Sequence, residues 1–150
     1  MLNVLFVGRA NLGPSLLAEA ALRHLAGERF EVFSAGLEAA PGAAPPAILE
    51  AVAQAGQDAE PLYAKPLSVF QGADAPHFFA VIALGETAGQ ADLDWPSCPH
   101  RAYWRLALGQ SLSAIGEDLA ARLAGFVALD PARAGPARVQ AALDAGAQST

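Results

Sequence analysis

The sequence has few of the residues that mark several large classes of protein. Its single cysteine excludes an internal disulfide and a cysteine-cluster metal site, and is compatible with a reducing cytoplasm. No apolar run approaches the roughly 20 residues that a membrane helix needs, and the N-terminus lacks the basic start of a secretory signal. Positive charge is scarce too: 9 Lys and Arg against 15 Asp and Glu give a net charge of −6. That balance disfavours nucleic acid and anionic membranes as partners.

The 150 residues, 53% of them apolar, suit one domain with a buried core. Continuous apolar runs and β-branched residues predict four strands, at Leu2–Val7, Phe30–Gly36, Phe78–Leu84 and Arg101–Ala107. Helical spacing predicts three helices between them, at Ser15–Leu25, Ile48–Ala55 and Ser111–Leu129. This order is typical of a small open α/β domain with helices on both faces of a parallel sheet.

The C-terminal segment differs in composition from the rest of the chain. We expect one domain over residues 1–130 and a poorly anchored tail over residues 131–150, which are rich in Ala, Gly and Pro. Val139 to Leu143 is the one stretch of this tail in which the sequence allows a short helix.

The turn between the first strand and the first helix is the first candidate site. Ligands of open α/β sheets bind beyond the carboxyl ends of the strands, and free amides at a helix start suit an anion. The candidate anion-binding residues are Arg9, Ala10, Asn11, Leu12, Gly13 and Ser15. Such turns also contain Gly and Asn for purely conformational reasons, and Arg9 fits a solvated loop arginine as well as an anion ligand.

The stretch Val-Gly-Arg-Ala-Asn-Leu-Gly-Pro-Ser-Leu-Leu-Ala-Glu-Ala, residues 7–20, resembles a known signature. It is similar to Val-Cys-x-x-Asn-x-x-Arg-Ser-x-x-Ala-Glu of the low-molecular-weight protein tyrosine phosphatases and the thioredoxin-coupled arsenate reductases. Further matches are Ser34-Ala35-Gly36, Lys65-Pro66-Leu67, Trp95-Pro96 and Tyr103-Trp104. The resemblance runs from residue 2 to about 128 and implies a flavodoxin-like three-layer sandwich with a four-stranded parallel sheet.

The residues that do chemistry in that family are absent from the matching positions. Gly8 stands where the signature has its nucleophilic cysteine, Pro14 where it has its arginine, and about Leu108 where the family has its general acid. Leu84 and Asp92 replace the two further redox cysteines of the reductase branch. The scaffolding residues of the signature remain: Asn11, Ser15, Ala18, Glu19 and Ser34.

These replacements predict a pseudoenzyme of the family that acts by binding or regulation, with no catalytic residue, cofactor or metal. Glycine offers no nucleophile, and proline removes both a cation and an amide. The apolar residues Leu12, Pro14, Leu84 and Leu108 would suit the former active-site crevice to a protein or apolar ligand. The alternatives are an active phosphatase or arsenate reductase that uses an unrecognised site, and an oligomer subunit that pairs with an active paralogue. A small oxyanion is also a candidate ligand of the loop.

Other reactive side chains are more easily explained as structural. Cys98 has a histidine two residues later, at His100, but its flanking prolines indicate only a stiff loop. His24, His77 and His100 are scattered and have no metal-ligand spacing. Asp130 follows the last long helix and is interpreted as a helix terminus. Arg101 and Arg105 share one side of the fourth strand, either in the crevice or at the sheet edge.

Overall fold

The structure is a computed structural model that describes residues 1–60, 62–85, 98–107 and 109–147. The described residues form six strands, namely β1 (Leu2–Gly8), β2 (Phe30–Gly36), β3 (Gly42–Ala43), β4 (Tyr63–Ala64), β5 (Ala80–Leu84) and β6 (His100–Trp104). Their four α-helices are α1 (Pro14–Ala26), α2 (Pro46–Gln54), α3 (Leu112–Ala128) and α4 (Pro136–Ala147). A 3-10 helix covers Leu67–Phe70.

Four of the strands form one parallel sheet in the order β2-β1-β5-β6. The two inner strands are buried over their central residues because they consist of apolar side chains that point to both faces. The predicted four-stranded parallel sheet is therefore confirmed. The short strands β3 and β4 pair antiparallel outside it.

Each face of the sheet has its own core. All four α-helices contribute to the larger core, which includes Phe6, Leu16, Trp104 and Phe126. The opposite core includes Leu5, Val81 and the aromatic rings of the 3-10 helix region. Alternation along each strand divides its apolar residues between these two cores.

The C-terminal segment is anchored, so the expectation of a loose tail is wrong. Val139 and Leu143 of α4 are fully buried, which contributes about 1.5–3 kcal/mol for each side chain. The Trp104 indole nitrogen donates to the Leu143 carbonyl at 2.8 Å, and the Gln140 amide donates to the Arg101 carbonyl at 2.7 Å. A Cβ on Gly146 would lie 2.8 Å from the Trp104 ring. α4 therefore packs directly against β6.

The observed bounds differ slightly from those predicted at strand and helix ends. The fourth strand ends at Trp104, three residues earlier than expected, and α4 is longer than the short helix that the sequence allowed. The Ser111 hydroxyl caps α3 by accepting from the Ala114 amide. Among the described residues, no helix is both long and apolar enough to cross a bilayer.

Candidate functional site

The loop between β1 and α1 joins the carboxyl end of an inner strand to a helix N-terminus. β1 ends at Gly8, and α1 begins at Pro14, a position at which a helix tolerates the missing amide. The carbonyl of Gly13 accepts hydrogen bonds from the amides of Leu16 and Leu17 at 3.1 and 3.3 Å. The loop therefore leads directly into the first turn of α1, and the positive end of the helix dipole lies beside it.

Asn11 is the residue that fixes the conformation of this loop. Its φ is 56°, in the left-handed region, and its side chain is buried. Its amide nitrogen donates to the hydroxyls of Ser15 and Ser34 at 2.9 and 3.0 Å, and its Oδ1 accepts from the Lys65 amide at 3.0 Å. Asparagine tolerates the left-handed region better than most residues, and these bonds hold it there.

Buried charges adjoin Asn11. The Glu19 carboxylate accepts from the Ser34 hydroxyl at 2.5 Å and from the Arg23 guanidinium at 2.7 Å. The Lys65 ammonium lies 3.9 Å from Glu19 and 3.4 Å from Oδ1 of Asn11. Two cations and one carboxylate thus share this buried region. We call five of these connected residues the loop cluster: Asn11, Ser15, Glu19, Ser34 and Lys65.

Lys65 is the least expected member of the loop cluster. It is only 6% exposed, and its ammonium donates to the Tyr63 carbonyl at 2.8 Å. Desolvation lowers the pKa of Lys65, the Glu19 carboxylate opposes that shift, and the Arg23 guanidinium adds to it. The scaffolding residues were predicted from the resemblance, but the insertion of the Lys65 ammonium among them was not. The sequence signals were the match of Lys65-Pro66-Leu67 to the family and the fact that Lys65 is the only lysine in the chain.

Gly8 lies directly against the loop cluster. A Cβ built on Gly8 would be 2.8 Å from Oγ of Ser15 and 3.1 Å from its Cβ. The Ser15 hydroxyl therefore occupies the space into which a side chain at position 8 would extend. A larger residue at that position therefore requires the Ser15 side chain to shift.

Gly36 holds the loop from the other side. A Cβ there would lie 2.8 Å from the carbonyl carbon of Ala10 and 2.8 Å from the carbonyl oxygen of Arg9. Since these are backbone atoms, the contact leaves no space for a side chain. The amides of Leu37 and Glu38 donate to the carbonyls of Gly8 and Arg9 at 3.0 and 2.7 Å, so the loop is also hydrogen-bonded to the segment after β2.

The candidate anion-binding residues lie together in this loop. Arg9 and Leu12 are exposed, whereas Asn11 and Ser15 are buried in the loop cluster. The Arg9 guanidinium donates to the Glu38 carboxylate at 3.0 Å, and both side chains are well exposed. Exposed pairs of this kind stabilise a fold by about 0–1 kcal/mol.

In the region that the structure describes, no hydrogen-bond acceptor is found for the amides of Ala10, Leu12 and Gly13. These three amides are the groups of the loop that an anion would contact.

The remaining replaced positions do not all belong to this surface. Leu84 is 2% exposed and lies in the core of the sheet, so the expectation that it lines the crevice is wrong. Its place at the end of an inner strand, where both faces are covered, explains its burial. Asp92 and Leu108 lie outside the described residues. Arg101 on the outer strand and Arg105, the residue after that strand, are both exposed, which agrees with the sheet-edge alternative.

Cys98 is placed as a structural thiol. It is 7% exposed among apolar residues of the second core, and its Sγ donates to the His100 carbonyl at 3.2 Å. Desolvation raises the pKa of the Cys98 thiol, which opposes formation of the reactive thiolate. The ring of His100 is hydrogen-bonded to Gln140 at 3.0 Å. Neither arrangement resembles an activated nucleophile.

The three histidines are separate from one another. His24 and His77 are exposed, whereas His100 is buried between β6 and α4. Within the described ranges, no group of three His, Cys, Asp or Glu side chains is arranged to hold a metal ion.

Comparison with known proteins places these features in a family. The model of the low molecular weight phosphotyrosine protein phosphatase family matches residues 3–90, which include the whole loop cluster. A search of curated protein sequences found no match.

Several solved structures have the same fold. The chain is similar to a thioredoxin-dependent arsenate reductase of Corynebacterium glutamicum, with 26% identity over 89% of this chain and a TM-score of 0.71. It spans 64% of the length of that chain. An arsenate reductase of Archaeoglobus fulgidus is 21% identical, with a TM-score of 0.63 and coverage of 83% of this chain and 98% of that one. A low molecular weight protein tyrosine phosphatase of T. tengcongensis is also 21% identical, with a TM-score of 0.60 and coverage of 81% and 94%.

The family model thus covers more than half of the chain, including the loop between β1 and α1. The chain belongs to the low molecular weight phosphotyrosine protein phosphatase family.

Proposed function

We propose that the chain is a non-catalytic member of this family that acts by binding or regulation through its altered active-site loop. The observation that supports this most strongly is the arrangement at Gly8. The loop cluster is complete, yet glycine stands at position 8, directly beside the Ser15 hydroxyl. No nucleophile stands where the family signature has its cysteine.

The missing groups act together in the chemistry of the family. Covalent phosphoryl transfer needs a nucleophile to attack phosphorus and a cation to neutralise the equatorial oxygens. Pro14 supplies neither charge nor amide. Loss of one such stabilising donor alone lowers rates by about 10²–10³. Groups that act as a unit are not replaced by those that remain, so we expect no turnover by this route.

The loop nevertheless keeps the features that suit a ligand. Leu12 is 46% exposed at the loop surface, next to the buried Asn11. The amides of Ala10, Leu12 and Gly13 and the start of α1 favour an anion. A protein partner with an apolar contact or a small oxyanion therefore both suit the loop. The single cysteine, which forms no internal disulfide, supports a reducing cytoplasm as the location.

The proposal is tested by incubating the purified chain with a chromogenic aryl phosphate and, separately, with arsenate and a thiol reductant. We expect product formation equal to that of a buffer blank. Cys98→Ser is the matched variant, since Cys98 is the only thiol in the chain. Turnover that follows the protein through purification would contradict the proposal, and its loss in Cys98→Ser would identify the alternative active site.

Binding by the loop is tested by calorimetric titration with phosphate, sulfate and arsenate. Heat that saturates with wild-type protein would show an anion receptor, and its absence would favour a protein partner. The variant Gly8→Cys/Pro14→Arg should bind these oxyanions more tightly, because it restores the cation of the family signature. Gly8→Cys/Pro14→Gln is the control, since it restores the amide without the charge.

A further inference from the structure

The outer strand β6 presents a line of exposed side chains that the proposed function does not use. Along residues 100–105 burial alternates, with His100, Ala102 and Trp104 buried and Arg101, Tyr103 and Arg105 exposed. The buried set faces the helices, where Trp104 contacts α4. We call the exposed set Arg101, Tyr103 and Arg105 the edge stripe.

The register of the sheet places the edge stripe next to the smaller core. Arg101 pairs with Val81 and Tyr103 with Ala83 on β5, and both β5 residues belong to that core. Tyr103 is 46% exposed, although its neighbour Ala83 is fully buried. The edge stripe therefore lies on the same face of the sheet as the smaller core, at the outer strand, where that face is exposed to solvent.

The arginines of the edge stripe differ from most cations of the chain in their partners. In the described residues, six of the nine Lys and Arg side chains form ion pairs with carboxylates. No such pair involves Arg101 or Arg105 in that part of the chain. Two cations that have no carboxylate partner among the described residues thus flank an exposed aromatic ring, in a protein of net charge −6. This local charge is complementary to an acidic partner.

The spacing of the edge stripe suits an extended ligand. Alternate residues of a strand are separated by about 6.8 Å, and alternate side chains of an extended peptide have the same separation. Aspartate or glutamate at every fourth position of such a peptide would meet Arg101 and Arg105 in turn. The aromatic ring of Tyr103 lies between them to pack against the intervening residue.

We propose that the edge stripe is a docking surface for an acidic segment of a protein partner, bound in an extended conformation along β6. Nucleic acid is the less suitable polyanion, because the rest of the chain is acidic and would repel a long phosphate backbone. This inference stands apart from the proposed function of the loop, since it involves neither Gly8 nor the loop cluster.

The test uses a fluorescein-labelled peptide with aspartate at every fourth position and serine between, and binding is followed by fluorescence anisotropy at about 50 mM and about 150 mM salt. Wild-type protein should bind the peptide, and more weakly at the higher salt concentration. Arg101→Gln/Arg105→Gln should weaken binding about tenfold, since two exposed ion pairs are lost. Tyr103→Ser should weaken it about threefold.

The matched control is Arg133→Gln/Arg138→Gln, which removes the same charge from two other exposed arginines and should change affinity less than about twofold. Thermal unfolding of all variants checks that each is folded. Three results would overturn the proposal: no binding by wild type, equal losses in the two double variants, or equally tight Arg101-dependent binding of single-stranded oligothymidylate. None of these outcomes bears on turnover, so the proposed function is tested separately.

Discussion

Replacement of Asn11 by glycine tests the claim that the loop conformation depends on one buried side chain. Asn11 has a φ of 56°, which glycine adopts without steric cost. The variant Asn11→Gly therefore keeps the backbone geometry accessible and removes only the side chain with its hydrogen bonds. Alanine would confound the result, because it adds left-handed strain of about 1–2 kcal/mol.

The expected loss follows from the contacts of Asn11. Three hydrogen bonds of 2.9–3.0 Å join it to Ser15, Ser34 and Lys65, and each contributes about 1 kcal/mol. The added flexibility of glycine costs about 0.5–1 kcal/mol more. The free energy of unfolding should therefore fall by about 3–4 kcal/mol, which lowers Tm by about 10 °C in a domain of this size.

Asp130→Gly is the control, because Asp130 has the same φ of 56°. Its carboxylate is partly exposed and lies 3.9 Å from Arg29 and 3.7 Å from Arg133, so its loss should cost no more than about 1 kcal/mol beyond the glycine flexibility. Chemical denaturation and calorimetry of both variants give the comparison. If Asn11→Gly is no more destabilising than Asp130→Gly, the loop does not depend on the Asn11 side chain.

Three further predictions concern other residues of the same region and the second core. Gly36→Ala should destabilise the protein by about 1–3 kcal/mol in the same denaturation assay, because the new Cβ would meet backbone atoms at 2.8 Å. Gly42→Ala is the control: Gly42 has open space around it, so this variant should lose less than about 0.5 kcal/mol. Equal effects of the two substitutions would contradict the contact at Gly36. Burial lowers the pKa of Lys65, so between that lowered pKa and 10.5 the unfolded chain binds more protons than the folded one. The Tm of wild type relative to Lys65→Met should accordingly rise as pH increases through that range, and a falling difference would contradict the burial. Because burial raises the pKa of Cys98, its alkylation by iodoacetamide at about pH 8 should be at least about 100-fold slower in the native protein than in denaturant, and equal rates would show an accessible thiolate.

The sheet could be predicted from the sequence because its signals are local. The strand over Phe30–Gly36 was predicted with its observed bounds, since apolar and β-branched residues end there in a small-residue turn. The pair of two-residue strands β3 and β4 had no comparable signal. They join residues about 20 positions apart, and such pairing depends on where the rest of the chain lies.

The C-terminal helix was expected only as a short stretch of a loose tail, because its composition conceals its packing. Alanine, glycine and proline dominate the segment, and only Val139 and Leu143 mark its buried side. Gly146 allows α4 to approach the Trp104 ring closely, so a residue typical of loops is here a packing contact. Composition alone could not show this, since the partner of α4 is the distant strand β6.

The candidate site was predicted in part. The resemblance identified Asn11, Ser15, Glu19 and Ser34 as scaffolding, and the structure connects them by hydrogen bonds. The position of the Lys65 ammonium depends on the path of the chain after α2, which the sequence does not reveal. The expected exposure of Leu84 was wrong because the end of an inner strand is covered on both faces.

A single-turnover experiment tests most directly whether the loop has lost its chemistry. Purified protein is kept in excess over a radiolabelled aryl phosphate, so that even one slow event per molecule is counted, and phosphate release is followed against protein concentration. The account predicts a rate that equals spontaneous hydrolysis at every protein concentration. Release that increases in proportion to the protein, and that is lost in Ser15→Ala or Cys98→Ser, would contradict it.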